Sequence, residues 1–135
     1  MRTSFARRTL CTALAFAAAL AGCAHTEGTR QEREEARLAK LLEGRVPGKP
    51  ESCITALSDN RLQFYDRTAV VYDAGDTIWV SRPTDPRSLD TRDVVVIRRT
   101  GSQLCKQDII RTVDRTSGIT TGVVFLEDFV PYRRP

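Results

Sequence analysis

The chain has 135 residues, with 21 lysines and arginines, 17 aspartates and glutamates, and a single histidine, His25. Three of the arginines precede Cys23, so residues 23–135 carry 18 basic and 17 acidic side chains. A nearly neutral chain lacks the basic stripe that nucleic-acid binding requires and is only weakly attracted to anionic lipid. Residues 23–135 are numerous enough for one compact domain and a tether.

Residues 1–22 have the composition of a bacterial export signal. Arg2, Arg7 and Arg8 precede an apolar, alanine-rich run over 10–21. About twelve apolar residues suit a signal segment but are too few to span, as a helix, a hydrocarbon core of about 30 Å. The sequence therefore predicts a cleaved signal peptide at 1–22. Export by the general route and by the twin-arginine route both stay open, because Arg7-Arg8 matches only part of the twin-arginine pattern.

The end of this segment, Leu20-Ala21-Gly22-Cys23, resembles the lipobox of bacterial lipoproteins. The resemblance implies a diacylglycerol on the Cys23 thiol, cleavage before Cys23, and acylation of the new amine. Several acyl chains on one residue exceed the two signals that stable membrane anchoring needs. The next residue is Ala24 and not aspartate, which by resemblance to enterobacterial lipoproteins implies the outer membrane, on its periplasmic face. Simple secretory cleavage after a small residue is the alternative.

Residues 23–29 are polar and predict a flexible tether, and 30–43 predict a helix. Thr29 and Glu32 resemble a capping box, and Gly44 is a typical helix end. The apolar stripe of this helix is narrow, so two interpretations stand. Either its last turn docks on the domain, or the helix is a spacer or a partner-binding element.

Residues 46–50 predict a linker that completes the segment 30–51, and 52–135 predict a small β domain. Hairpin-turn residues occupy Asp73-Ala74-Gly75-Asp76. Without helical crossovers, the strands are expected to be antiparallel, in a mainly β fold that is a small barrel or a sandwich preceded by one N-terminal helix. The β-branched and aromatic runs predict strands at 53–57, 61–66, 69–73, 77–82, 93–99, 108–113 and 121–127.

Of four cysteines, Cys11 lies in the signal peptide and Cys23 is the lipidation site, which leaves Cys53 and Cys105. An even pair in an oxidising compartment predicts a disulfide. Closing a loop of this size stabilises a fold by about 4 kcal/mol in the chain-entropy treatment. A zinc site is not expected, because two cysteines without a histidine in the domain do not supply four ligands.

Residues 52–132 resemble a family of small, uncharacterised exported lipoproteins of proteobacteria. The resemblance implies the compartment and a cysteine-bridged domain of unknown function. Family members often carry a second cysteine pair near the equivalents of Leu89 and Val124, which this chain lacks, so Cys53–Cys105 is implied as the remaining bridge. The matching segments are Cys53-Ile54, Asp66-Arg67-Thr68, Leu104-Cys105 with Asp108-Ile109, and Gly118 with Phe129-Val130-Pro131-Tyr132.

The sequence predicts no catalytic residue, no metal ligand and no cofactor. Its one histidine lies two residues from the lipidation site, so the domain cannot assemble a Ser-His-Asp or Cys-His arrangement. It has neither a glycine-rich phosphate loop nor a dinucleotide fingerprint. The acids Asp73, Asp76, Asp85, Asp90 and Asp93 suggest glycoside hydrolysis or calcium binding only if they meet; otherwise they cap turns.

Three residues are candidates for binding. Strand alternation over 77–82 places Trp79 on the face opposite Ile78 and Val80, where it is either a stacking platform or a covered core residue. Arg98 and Arg99 are either contacts for anionic groups or solvated charges at a strand end.

These observations predict an outer-membrane lipoprotein that is not an enzyme. Its expected role is binding or structural work for an envelope protein or a peptidoglycan partner, and its oligomeric state is left open. The alternative is a carboxylate-based hydrolase acting on cell-wall glycan, which needs two acids about 5–9.5 Å apart in one cleft.

Overall fold

The computed structural model describes residues 22–99 and 101–135, with side chains from residue 28 onward. The predicted signal peptide, apart from Gly22, lies outside the described residues. Helix α1 spans Gly22–Leu41, and two 3₁₀ turns span Asp59–Arg61 and Pro86–Ser88. The strands are β1 Val46–Pro47, β2 Cys53–Thr55, β3 Leu62–Tyr65, β4 Ala69–Asp73, β5 Thr77–Ser81, β6 Val94–Arg98, β7 Gln103–Cys105, β8 Ile109–Val113, β9 Thr120–Val124 and β10 Val130–Arg133.

The strands form three antiparallel sheets, as the missing helical crossovers predicted. One sheet has the order β1-β10-β5-β4-β3, the second β6-β8-β9, and the third is the pair β2-β7. The sheets are open, so the barrel alternative is wrong and the sandwich describes the fold. A barrel needs a closed ladder of strands, whereas β3 and β6 each end a sheet without pairing to one another.

The five-stranded sheet lies between two apolar layers. Alternate residues of a strand face opposite sides, so Val71 packs towards α1 and its neighbour Val70 packs towards the two smaller sheets. The core on the helix side is Leu38, Tyr65, Ala69, Val71, Ile78 and Val80. The core on the other side is Ile54, Ala56, Val70, Tyr72, Leu89, Leu104, Ile110, Val124, Leu126 and Phe129.

Helix α1 docks on the domain, which confirms one of its two interpretations. Leu38 is buried against the sheet. Arg82 donates from its two terminal nitrogens, Nη1 and Nη2, to the Glu35 carboxylate at 2.6 and 3.0 Å. Arg37 lies over the ring of Tyr65, 4.5 Å from its centroid. No helix among the described residues is both long and apolar enough to cross a membrane.

The helix begins earlier than predicted. It starts at Gly22, so the segment 23–29 is helical rather than a flexible tether, and Thr29 lies inside the helix instead of capping it. The helix ends at Leu41, and Gly44 follows with φ +71°. No proline interrupts 22–41, and adding residues to a formed helix costs far less than nucleating one, so the docked turns extend towards the N-terminus.

The predicted linker 46–50 begins with a strand of the five-stranded sheet, Val46–Pro47. β1 pairs with β10, and the Gly48 N–H donates to the Pro131 carbonyl at 2.7 Å. A residue in a strand directs its nitrogen and its carbonyl to the same neighbour. The nitrogen of Pro131 therefore faces β1, where the ladder is short, and its missing N–H removes no bond to β5.

The hairpin prediction is confirmed. β4 and β5 pair through Asp73↔Ile78, and the Ala74 N–H donates to the Thr77 carbonyl at 2.9 Å. Gly75 has φ +89°, a conformation that a residue with a Cβ rarely adopts. Strands β7 and β10 were not predicted, because β7 has three residues and β10 contains a proline.

Candidate functional site

Two edge strands from different sheets border one opening in the sandwich. β3 ends the five-stranded sheet and β6 ends the three-stranded sheet. A cavity of about 270 Å³, here called the cleft, lies between them. It is lined by Ala56, Ser58, Asp59, Leu62, Phe64, Tyr72, Val95, Ile97, Arg99 and Leu104. A concave, largely apolar cavity with a few polar groups is the usual form of a binding site.

Strand alternation builds the apolar walls of the cleft. Leu62 and Phe64 point from β3 into the sandwich, and Val95 and Ile97 point into it from β6. All four side chains are only partly buried, because the two sheets do not close over them. The two edge strands therefore leave apolar surface that a partner can cover.

Arg99 supplies the cationic group of the cleft, but its guanidinium is already held. Its Nη1 donates to the Ala56 carbonyl at 2.6 Å, and its Nη2 pairs with the Asp59 carboxylate. The Arg99 side chain is 20% exposed, whereas the Asp59 side chain is 83% exposed. Arg99 thus fixes the polar end of the cleft, and Asp59 presents a carboxylate to solvent there.

The structure separates the two arginines that the sequence places side by side. Arg98 ends β6 on the outer face of the three-stranded sheet, opposite Ile109 of β8. Arg99 turns back towards the segment 56–59. Only Arg99 belongs to the cleft, so the pair does not form one anion-binding site.

Trp79 lies outside the cleft and is partly covered. It packs against the core between the sheets, beside Pro131 on the neighbouring strand, and Arg133 lies over its ring, 5.8 Å from the centroid. The prediction that Ile78 and Val80 face a core is confirmed, but the face of Trp79 also packs on a core. Of the two alternatives for Trp79, the covered core position agrees with this packing. Alternation along one strand could not choose between them, because the five-stranded sheet has apolar layers on both sides.

The described acids serve mainly as turn caps, which confirms that interpretation for three of them. Asp73, Asp85 and Asp90 each accept the backbone N–H of the residue two positions later, at 2.8, 3.0 and 3.0 Å. No group of three or more described His, Cys, Asp or Glu side chains is placed to hold a metal ion. Asp59 is the carboxylate of the cleft, and it is paired with Arg99.

Hydrogen bonds and ion pairs lower the pKa of several of these carboxyls. The Arg92 side chain hydrogen-bonds the Asp90 carboxylate and lowers the pKa of Asp90 from 3.8 to about 2. The backbone N–H of Arg87 lowers the pKa of Asp85. Groups with a lowered pKa are ionised at neutral pH, so they act as acceptors and ion-pair partners rather than as proton donors.

The predicted disulfide is present. Cys53 and Cys105 oppose each other in the β2–β7 pair, with Cα atoms 4.0 Å apart and an S–S bond. The adjacent Ile54 and Leu104 are buried in the core between the sheets, and Leu104 also lines the cleft. The bridge therefore fastens the floor of the cleft. Cys23, the predicted lipidation site, lies in the second position of α1.

A second candidate surface, missed by the sequence reasoning, is the outer face of the three-stranded sheet. Its exposed apolar side chains are Val94, Val96, Ile109 and Val123, with Phe125 just beyond β9. The sequence contains a feature that could have indicated this exposed apolar surface, because Val94-Val95-Val96-Ile97 is an unbroken apolar run. Such runs are typical of strands buried on both faces, whereas β6 is an edge strand.

Comparison of the chain with protein-family models, with curated protein sequences and with solved structures finds no match.

Proposed function

We propose that this protein is an envelope lipoprotein, anchored through acylated Cys23 to the outer membrane on its periplasmic face. Its β domain acts as a non-catalytic module that binds a protein partner through the cleft between β3 and β6. The lipobox carries the proposed anchor, and the cleft carries the proposed binding role.

The cleft is the observation that supports binding, and its lining favours a protein over a glycan. Leu62, Phe64, Val95 and Ile97 offer partly exposed apolar surface at one opening. Apolar or aromatic side chains of a protein partner gain most from filling such a cavity. A sugar would instead need free polar groups around an aromatic platform. The cleft has aromatic rings in Phe64 and Tyr72, but its polar side chains are engaged, since Ser58 hydrogen-bonds Asn60 and Arg99 pairs with Asp59. A peptidoglycan partner is therefore the second choice.

A carboxylate-based hydrolase of cell-wall glycan is the alternative function. Such an enzyme needs two carboxyl groups flanking the scissile bond in one cleft. The lining of the cleft offers the single carboxylate of Asp59, which is paired with Arg99. Asp85 and Asp90 bind their own turns, so the geometry favours the binding module.

The anchor is tested by fractionation of cells that express the Cys23→Ser variant. This variant should leave the membrane fraction, because it lacks the thiol that carries the diacylglycerol. Cys11→Ser is the matched control, because it also removes a cysteine near the N-terminus but should stay in the membrane. A Cys23→Ser protein that fractionates with the membrane as the parent does would refute the anchor.

The binding role is tested with a photo-crosslinking phenylalanine analogue placed at Phe64 in intact cells. We expect a discrete protein adduct at Phe64 and none at Phe125, an exposed phenylalanine that does not line the cleft. Adding Leu62→Glu in the cleft should abolish the adduct, because a buried charge disfavours an apolar ligand. Absence of the Phe64 adduct, or an equal adduct at Phe125, would overturn the proposal.

A further inference from the structure

Strand β6 has the sequence of a central strand but lies at the edge of a sheet. Val94 through Ile97 are four consecutive β-branched apolar residues. Val95 and Ile97 face the cleft, while Val94 and Val96 face outward and are 41% and 46% exposed. An edge strand of this composition is a template for pairing with another chain.

Two other sheet edges, β1 and β9, carry features that discourage such pairing. The edge strand β3 carries none of them, but it contains the polar Gln63, whereas β6 is apolar from Val94 to Ile97. β1 contains Pro47, and the ladder between β8 and β9 has a register shift between Thr112 and Val113. Proline, irregular register and charged side chains are the usual protections of an edge. Between Val94 and Ile97, β6 has no proline, no charge and no bulge in its pairing with β8.

We propose that β6 pairs antiparallel with β6 of a second copy of this chain, centred on Val96. The two three-stranded sheets then form one continuous six-stranded sheet. In this arrangement the inner faces of the two β6 strands lie on the same side of the joined sheet. Val95 and Ile97 of the second copy therefore extend the apolar wall beside the cleft. This inference rests on the proposed function, because it names the partner of the same opening.

Charge complementarity favours the second copy as the occupant. The strand is preceded by Asp93 and ends in Arg98, whereas the next residue, Arg99, is already paired with Asp59. An antiparallel pair places the acidic end of each copy beside the basic end of the other. Arg98 forms no ion pair within the described residues, so its charge is free to meet the second copy.

The register follows from the alternation of faces. Directly opposed residues must lie on the same face of the sheet. Centring on Val96 satisfies this rule, opposes Val94 to Arg98, and places Asp93 of one copy one position along the strand from Arg98 of the other. Centring on Val95 would instead oppose Arg92 to Arg98, and like charges directly opposed are destabilising. A five-residue strand pair is a small interface, so tethering both copies in one membrane raises their effective concentration and favours the pair.

The test uses single cysteines in the full chain, expressed in cells with the anchor intact. Val96→Cys places the two new thiols directly opposite, with Cβ atoms about 4.5–5.5 Å apart. Val94→Cys is the matched control, because it is similarly exposed on the same strand face but lies about 14 Å from its copy at 3.4 Å per residue. We expect a reducible species of twice the monomer mass for Val96→Cys and monomer for Val94→Cys.

A second pair of variants probes the interface without new cysteines. Val96→Lys opposes two like charges at the centre of the pair, whereas Val123→Lys adds the same charge to the same sheet face on β9. Chemical crosslinking in the membrane should lose the dimer at least tenfold for Val96→Lys and keep it for Val123→Lys. Intact Cys53–Cys105 bridges, measured by mass spectrometry, show that each variant is folded.

The outcomes separate this inference from the proposed function. Monomeric Val96→Cys, or equal crosslinking of Val96→Cys and Val94→Cys, overturns the self-pairing. If the Phe64 crosslinker then still captures a different protein in a manner abolished by Leu62→Glu, the proposed function stands with another partner. If the Phe64 adduct is also absent, both are overturned.

Discussion

The Cys53–Cys105 bridge offers the sharpest test of how this small domain is stabilised. It joins β2 to β7, and the neighbouring Ile54 and Leu104 are buried in the core between the sheets. The perturbation is the double variant Cys53→Ala with Cys105→Ala, made in the Cys23→Ser chain so that the protein can be studied without its anchor. Alanine adds no polar group to the core. Because both cysteines are only half-buried, their replacement also leaves little cavity.

The expected magnitude follows from the length of the closed loop. The two cysteines are 52 residues apart. Cross-linking a loop of this size removes about 14 cal/mol/K of entropy from the unfolded chain, or about 4 kcal/mol at 25 °C. Domains of this size are stable by about 5–15 kcal/mol, so the bridge supplies a large share of the total.

The assay is urea unfolding of the bridged and unbridged proteins, followed by tryptophan fluorescence and by circular dichroism. We expect the free energy of unfolding to fall by about 4 kcal/mol. The dependence on urea should also steepen, because an uncrosslinked unfolded chain exposes more surface. A loss below about 1 kcal/mol, with native circular dichroism unchanged, would refute the reasoning, since the sheets alone would then hold the floor of the cleft.

Three further perturbations test other parts of the structure. Leu38→Ala should cost about 3 kcal/mol and raise hydrogen exchange in α1, because Leu38 is the fully buried residue among positions 28–41 of the helix; unchanged exchange would mean that the helix does not depend on this contact. Trp79→Ala should lower the melting temperature while Trp79→Phe lowers it less, because Trp79 packs on the core between the sheets; an unaltered melting temperature for both would place Trp79 outside the core. Acid should destabilise the protein as pH falls from about 4 towards 2, because the folded pKa of Asp90, about 2, lies below its ordinary 3.8 and the unfolded chain takes up the proton first. Asp90→Asn should flatten this part of the profile in urea titrations, and an identical slope would contradict the assigned role of the Arg92 ion pair.

Local sequence signals predicted the features that depend on near neighbours. The turn at 73–76 and the strands on either side follow from residues within a dozen positions. Asp73, Asp85 and Asp90 were interpreted as turn caps because their side chains reach the backbone two residues later. The pairing of Cys53 with Cys105 was predictable because only two cysteines remain after the predicted signal peptide and the predicted lipidation site are set aside.

Contacts between distant segments account for what the sequence reasoning missed. Pro131 led the sequence to predict no strand at 130–133, because proline lacks the N–H that a strand donates. In the fold its nitrogen and carbonyl face Gly48 rather than β5, so no hydrogen bond to β5 is lost. The segment 46–50 looked like a linker because its pairing partner lies more than eighty residues away. Both alternatives for Trp79 stayed open because alternation along one strand does not reveal whether a second apolar layer covers the other face of the sheet.

The sequence by itself determined a mainly antiparallel β domain, one N-terminal helix, one disulfide and the residues of its turns. These follow from alternation, turn chemistry and cysteine count, which act over short distances along the chain. Only the tertiary structure decided that the sheets stay open between β3 and β6, and that Arg99 joins the resulting cleft while Arg98 and Trp79 do not. Closure of a sheet depends on which strands meet across the core, and that choice is made by packing between segments far apart in the sequence.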